Sequence, residues 1–177
     1  MQEPPLLTER LILRHAVPDD LAALHAILSN PVAMQYWSTL PHVALAETKI
    51  WLDHMLAETG KRENYIVALR DEPALAIGKA GCWNAGKVGV LFAPSAWGHG
   101  YAAEALRMIL PREFSRDPNL AQIMADVDPR NAGSINLLKK LGFTVTGRAD
   151  RTLKLGDLWC DSLYLALPRP VEPPSGE

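Results

Sequence analysis

The stretch Lys87–Phe114 constrains the fold most. Lys87–Phe92 (KVGVLF) reads as a strand, and Tyr101 opens a helix with Leu106, Ile109 and Leu110 at helical spacing. Between them Gly98 and Gly100 bracket His99. A strand that enters a helix through a glycine loop builds an anion site. The first N–H groups of the helix have no internal partner, and the helix dipole adds partial positive charge. Glycine also lets the backbone approach a phosphate with no Cβ in the way. A Gly-x-Gly on its own is equally explained by an ordinary tight turn, so the flanking chain has to decide.

Before the loop, Leu6–His15 reads as a first strand and Pro18-Asp19-Asp20 opens a helix carrying Leu21, Leu24 and Leu28 on one face. Asn30-Pro31 ends it, and an irregular aromatic segment with Tyr36 and Trp37 follows. A second helix runs from Ala44 to Thr59 and stops at Gly60. Tyr65–Leu69 and Leu75–Trp83 are strands, and Asn84-Ala85-Gly86 turns the chain into Lys87–Phe92 as an antiparallel neighbour. Pro111 should kink or shorten the helix after the loop near Phe114, because it removes an interior hydrogen bond.

Gln122–Val127 is a strand, Ser134–Leu141 a short helix, and Phe143–Leu155 with Leu158–Leu167 a closing hairpin. The pattern predicts one mixed α/β domain over 6–167, with six or seven mainly antiparallel strands and four helices. Residues 168–177, rich in proline, are expected to be a disordered tail.

Charge and cysteine usage narrow the class. With 18 Lys+Arg against 20 Asp+Glu, the net charge of -2 excludes a general nucleic-acid or anionic-membrane binder. Cys82 and Cys160 form no Cys-x-x-Cys, and His15, His25, His42 and His54 show no ligand spacing, so no metal is expected. The opening residues lack the basic and apolar run of a signal peptide, and no apolar stretch spans a bilayer, which points to the cytoplasm.

A second motif makes the glycine loop specific. Asn131 and Ser134, followed by Lys140-Leu141-Gly142-Phe143, stand downstream of Trp97-Gly98-His99-Gly100-Tyr101-Ala102-Ala103-Glu104-Ala105. Together they resemble the GNAT superfamily of N-acetyltransferases, in particular the branch of the ribosomal-protein N-terminal (alanine/serine) acetyltransferases. Gly156, Trp159 and Asp161 match that branch's Gly-x-x-Trp-x-Asp run, and Glu9-Arg10-Leu11-x-Leu13-Arg14 its first strand.

The resemblance implies a GNAT-like fold whose sheet splays at the centre, and acetyl-CoA as cofactor. It implies that Trp97, Gly98, His99, Gly100, Tyr101 and Ala102 cradle the pyrophosphate, although His99 also reads as a solvent-facing loop residue. Val90 and Phe92 would hold the pantetheine arm by backbone bonds across the gap from Gln122–Val127. Asn131 would bond the same arm, against its alternative as a helix cap.

Acetyl transfer to an amine needs a neutral nucleophile, donors for the oxyanion, and a proton for the leaving thiolate. Many relatives place a tyrosine where this chain has Leu138, so Ser134 is the hydroxyl assigned to the sulfur. The branch often has a glutamate where Val88 stands. Asp126 and Asp128, alternating on one side of their strand, are then the candidates for the base, with strand-end hydrogen bonding as the alternative.

Without a clear base the chemistry suits an amine of low pKa. An α-amine is about 10–15% neutral at pH 7 and a lysine amine below about 0.1%. The expected acceptor is a protein N-terminus or small amine, held by Tyr36, Trp37, Trp83, Trp159 and Asp161, with the protein a monomer or homodimer. A CoA-binding module without turnover is the competing reading, motivated by the missing tyrosine and glutamate.

Overall fold

The computed structural model describes residues 4–171. Eight strands form one sheet: β1 (Leu6–Leu7), β2 (Leu11–Arg14), β3 (Asn64–Leu69), β4 (Ala76–Asn84), β5 (Lys87–Phe92), β6 (Gln122–Val127), β7 (Thr144–Leu155) and β8 (Leu158–Pro168). Four helices accompany them: α1 (Leu21–Leu28), α2 (Leu45–Ala57), α3 (Tyr101–Arg116) and α4 (Ala132–Lys140). The strand order is β1-β2-β3-β4-β5-β6-β8-β7.

The strand count exceeds the expected six or seven because the first expected strand is a small hairpin. Thr8 breaks Leu6–His15: its hydroxyl accepts from the Leu11 N–H at 3.0 Å, folding Leu6 back onto Leu13. A second departure is Pro111. α3 is not shortened at it but runs through it to Arg116, two residues past the expected end near Phe114. Pro111 lies on the exposed side of the helix, where water can take the carbonyl bond that the missing N–H leaves open.

Two residues expected in the tail are instead held by the sheet. Pro168 pairs with Gln122, and the Arg169 N–H donates to the Ala121 carbonyl at 2.8 Å, with its guanidinium on the Leu120 carbonyl. Residues 172–177 lie outside the described part.

Side-chain alternation sorts the sheet into two faces. On one, Val67, Ala80, Val88, Ile123 and Leu165 meet Leu106 and Ile109 of α3 and Leu138 of α4. On the other, Ile66 and Leu91 meet Leu24 and Leu28 of α1 and Leu52 of α2. Burying each such side chain contributes roughly 1.5–3 kcal/mol, so both helical layers are firmly held.

All neighbouring strands are antiparallel except β5 and β6. These run parallel and share one pair, Lys87 with Met124, where the Met124 N–H donates to the Gly86 carbonyl at 2.6 Å. Beyond that point no further pair joins them among the described residues. The centre of the sheet therefore opens into a wedge that widens toward Phe92 and Val127.

Candidate functional site

Register decides which backbone groups line the wedge. The Ala93 N–H donates to the Ile77 carbonyl at 2.9 Å, so Ala93, Leu91 and Gly89 spend their peptide groups on β4. Val90 and Phe92 therefore point theirs the other way, toward the gap. The Phe92 carbonyl takes the Trp97 indole N–H at 3.0 Å, which pins the start of the loop and leaves the Val90 groups and the Phe92 N–H facing the wedge.

The loop that follows closes on the start of α3. Gly98 and Gly100 have φ of 77° and 80°, a region where a side chain costs about 1–2 kcal/mol. Glu104 makes the first helical bond, its N–H to the Gly100 carbonyl at 3.0 Å. The N–H groups of Tyr101, Ala102 and Ala103 thus have no partner in the helix. His99 turns its Nδ1 to the Trp97 carbonyl at 2.8 Å and stacks on Tyr101, with ring centroids 5.3 Å apart.

A carboxylate one turn into α3 could repel an anion, and here it is neutralised. Glu104 accepts from the Thr8 hydroxyl at 2.6 Å, the Arg10 N–H at 2.8 Å and the Arg10 guanidinium at 2.7 Å. Burial alone raises the Glu104 pKa, but the Thr8 and Arg10 hydrogen bonds outweigh it and hold the carboxyl below its ordinary range. The same guanidinium sits 4.7 Å above the Tyr101 ring, so a cation borders the loop. Sequence spacing could not reveal this clamp, whose partners are 94 to 96 residues apart.

Asn131 caps α4. Its Oδ1 accepts from the Ser134 N–H at 3.0 Å, so the cap uses one lone pair of the carbonyl, and its amide N–H groups make no hydrogen bond among the described residues. Ser134 is half-buried in the first turn, and its hydroxyl makes no hydrogen bond among the described residues. Leu138, one turn on, is buried in the core.

Of the two aspartates considered as bases, Asp128 is engaged. It receives the Arg130 guanidinium at 2.6 and 2.9 Å, and that contact, ahead of the opposing burial, holds its carboxyl low. Asp126 is exposed, with no ion pair or hydrogen bond among the described residues. Ile123 and Ala125 point into the α3 core, so Asp126 projects from the α1/α2 face.

The acceptor-side candidates divide. Trp83 lies on that same face and roofs Gly89, where a Cβ would stand 3.5 Å from its Cδ1. Trp37 belongs to the α1/α2 layer and covers Lys79 of β4, whose Nζ is 5.9 Å from its ring centroid. Tyr36 lies under the Arg130 guanidinium at 5.9 Å.

Trp159 and Asp161 are not brought to that face. Alternation along β8 puts Cys160, Ser162 and Tyr164 on the Asp126 side and Trp159 and Asp161 on the other. Trp159 packs under Arg151 at 5.1 Å. Asp161 accepts from the Arg151 N–H at 3.0 Å and the Arg148 guanidinium at 3.1 Å, which hold its pKa down. Its carboxylate staples the β7–β8 hairpin and is already committed.

Two charged residues with no assigned role also stand out. Lys79 interrupts the apolar run LAIGKAGCW, and that interruption was legible in the sequence. Glu63, 2% exposed, gathers Tyr65, Arg112 and Arg116 beneath α3, and nothing in its local pattern announces it. Among the described residues no cluster of three His, Cys, Asp or Glu is placed to hold a metal ion. None of their helices is long and apolar enough to cross a membrane.

Comparison with known proteins adds to this geometry. Residues 10–144 match the family model described as an acetyltransferase (GNAT) domain. An uncharacterized N-acetyltransferase of Bacillus subtilis (strain 168), YnaD, is 28% identical over 169 residues, covering 92% of this chain and 95% of its own. Among solved structures, ribosomal-protein-S5-alanine acetyltransferase from Vibrio fischeri superposes with a TM-score of 0.76 at 21% identity, covering 94% of this chain and 97% of that one. Spermidine N-acetyltransferase from Vibrio cholerae, in complex with CoA and spermine, gives 0.75 at 19% identity, covering 92% and 97%. At such identities the two structures speak to fold alone.

Proposed function

The chain belongs to the GNAT acetyltransferase family, a family of acyltransferases, and on that footing we propose that it moves acetyl from acetyl-CoA to a primary amine by direct attack in a ternary complex. The transferring unit is a single domain, expected over 6–167 and extended here by Pro168 and Arg169, which join the sheet. The observation that carries this reading is the wedge between β5 and β6, which ends on the bare N-terminus of α3.

The residues present fit CoA. The unspent N–H and C=O groups of Val90 and the N–H of Phe92 suit the amides of the pantetheine arm. The Trp97–Ala102 loop offers N–H groups without Cβ obstruction at Gly98 and Gly100, and the nearby carboxylate is neutralised by Arg10. When bound, acetyl-CoA supplies an activated acetyl group whose thiolate leaves readily, a thiol having a pKa near ~8.5.

The chain's own groups then have distinct tasks. Wedge N–H donors face the place where negative charge develops on the acetyl oxygen. The Ser134 hydroxyl, without a hydrogen bond among the described residues, donates toward the sulfur that must gain a proton. Asp126 faces the acceptor side and takes the proton that the nitrogen sheds as it bonds to carbon. Tyr36, Trp37 and Trp83 wall the acceptor, and Asn131 contributes its amide N–H groups to the arm.

With no strong base in place, an acceptor of low pKa reacts first, which favours an α-amine over a lysine side chain. Purified protein with acetyl-CoA and matched amines, read as thiol release at pH 7, tests both statements. Release with α-amines ahead of lysine is expected. Lysine ahead of α-amines overturns the acceptor class. Tight CoA binding with no release on any amine replaces the enzyme with a CoA-holding module, the reading that buried Leu138 in place of a hydroxyl would then support.

A further inference from the structure

Lys79 lies in the interior of β4, paired with Ile66 on one side and Leu91 on the other, both buried. It is itself only 3% exposed. No carboxylate lies within salt-bridge distance of it and no hydrogen bond is made to it among the described residues; the Trp37 ring lies 5.9 Å from Nζ, and the Cys82 thiol acts on it weakly against the burial. Burying an ammonium without a counter-charge is expensive, and an apolar side chain of similar volume would serve packing better. The burial is strong enough to pull the Lys79 pKa down to about 8. Packing gives no reason for a cation here.

Its position gives one. Lys79, Leu91, Gly89 and Asp126 project from the same face of the sheet. Lys79 stands one strand behind the β5 edge of the wedge, and Asp126 stands on the β6 edge. β4 and β5 are paired, ~4.8 Å apart, and Asp126 borders the open gap from the other side, so a small molecule seated over the gap has one charge on each bank. The two charges are of opposite sign, and neither has an ionic partner among the described residues. A carboxylate on one bank and an ammonium on the other complement a molecule that is itself both cationic and anionic.

We propose that Lys79 is the counter-charge for an anionic group on the acceptor, a carboxylate or a phosphate, so that the substrate is an amine that also carries negative charge. This rests on the wedge being an amine-acetylating site and narrows the class of amine it takes. The anionic group enters beneath Trp37 and replaces the ring as the partner of Nζ, while the amine faces Asp126 and the acetyl group. A purely cationic acceptor such as a polyamine meets an uncompensated positive charge at the same place.

Matched acceptors test this. The dipeptide amides Ala-Glu-NH2 and Ala-Gln-NH2 share an α-amine and differ by one carboxylate; glucosamine 6-phosphate and glucosamine differ by one phosphate. In the wild type the anionic member of at least one pair should have a KM lower by about tenfold, and which pair responds identifies the anion. Lys79→Met should bring the ratio of kcat/KM within that pair to about one, and Lys79→Arg should keep most of it. Equal KM values in both pairs, an unchanged ratio in Lys79→Met, or a polyamine as the best acceptor overturns the proposal.

Binding without turnover supplies an independent readout. The anionic member, added with CoA, should raise the melting temperature of the wild type and not of Lys79→Met; the same response in both proteins, or none in either, also overturns it. Acetylation of neutral amines without an anionic preference defeats the Lys79 assignment alone. Absence of any acetyl transfer despite CoA binding defeats the enzymatic reading, and the melting shift then decides the anion site by itself.

Discussion

Replacing Glu63 by glutamine keeps the shape of the side chain and removes its charge. Glu63 accepts from the Tyr65 hydroxyl at 2.7 Å, from Arg112 Nε at 2.7 Å and from Arg116 at 2.8 and 3.0 Å, joining β3 to the last two turns of α3. Removing one partner of a buried ion pair costs about 3–5 kcal/mol. Here Arg112 and Arg116 are 38% and 32% exposed and can turn to water, so the loss should be nearer to about 2–3 kcal/mol. For a chain of this length that is a drop of roughly 4–12 °C in melting temperature at pH 7.

The sign with pH follows from the same contacts. Burial raises the Glu63 pKa, but Tyr65, Arg112 and Arg116 outweigh it and leave the folded value below the ordinary one. Its contribution is therefore complete above the unfolded carboxyl pKa of about 4.3 and is lost as pH falls through the lower folded value. Thermal melts of both proteins from pH 7 to pH 3 should show the gap narrowing at the acid end. A gap under about 0.5 kcal/mol at pH 7, or one that widens on acidification, refutes the reasoning.

Gly100→Ala places a side chain at φ 80° and strains the loop that leads into α3, so if that loop cradles the pyrophosphate, CoA affinity measured by calorimetry should fall about tenfold. The control Gly60→Ala carries the same kind of strain, at φ 74° after α2, and should leave affinity unchanged; equal losses in both would contradict the loop assignment. Ser134→Ala removes one neutral hydroxyl and should lower kcat about three- to tenfold while the KM for acetyl-CoA moves by less than about twofold. An unchanged kcat would take Ser134 out of the proton path.

Much of the architecture could be read from local pattern, because strands, helices and the glycine loop depend on periodicity and caps within a few residues. Mistakes arose where a local rule met a distant contact. Thr8 splits the first strand by a bond three residues away, but its role as a partner of Glu104 spans 96 residues. The local rule expects a kink or shortening at Pro111, because it does not say that this proline lies on the exposed side of its helix. Asp161 looked available because Arg148 and Arg151 approach it only once the β7–β8 hairpin forms.

The site shows the same divide. Asn131 suits both a cap and a contact to the cofactor from its spacing, and the cap is the contact the fold makes. The wedge itself needs the register of β4 on β5 and the single β5–β6 pair, neither of which is written in either strand alone. Lys79 was visible as a lone charge in an apolar strand; that it shares a face with Asp126 is a property of the sheet.

Amide hydrogen exchange with and without CoA tests the central claim most directly. Bound in the wedge, CoA should slow exchange in peptides covering 88–92 and 97–103, where the N–H groups of Val90, Phe92, Tyr101, Ala102 and Ala103 have no strand or helix partner, and leave the outer hairpin at 148–159 unchanged. Protection confined to other segments, or none at saturating CoA, would contradict the account.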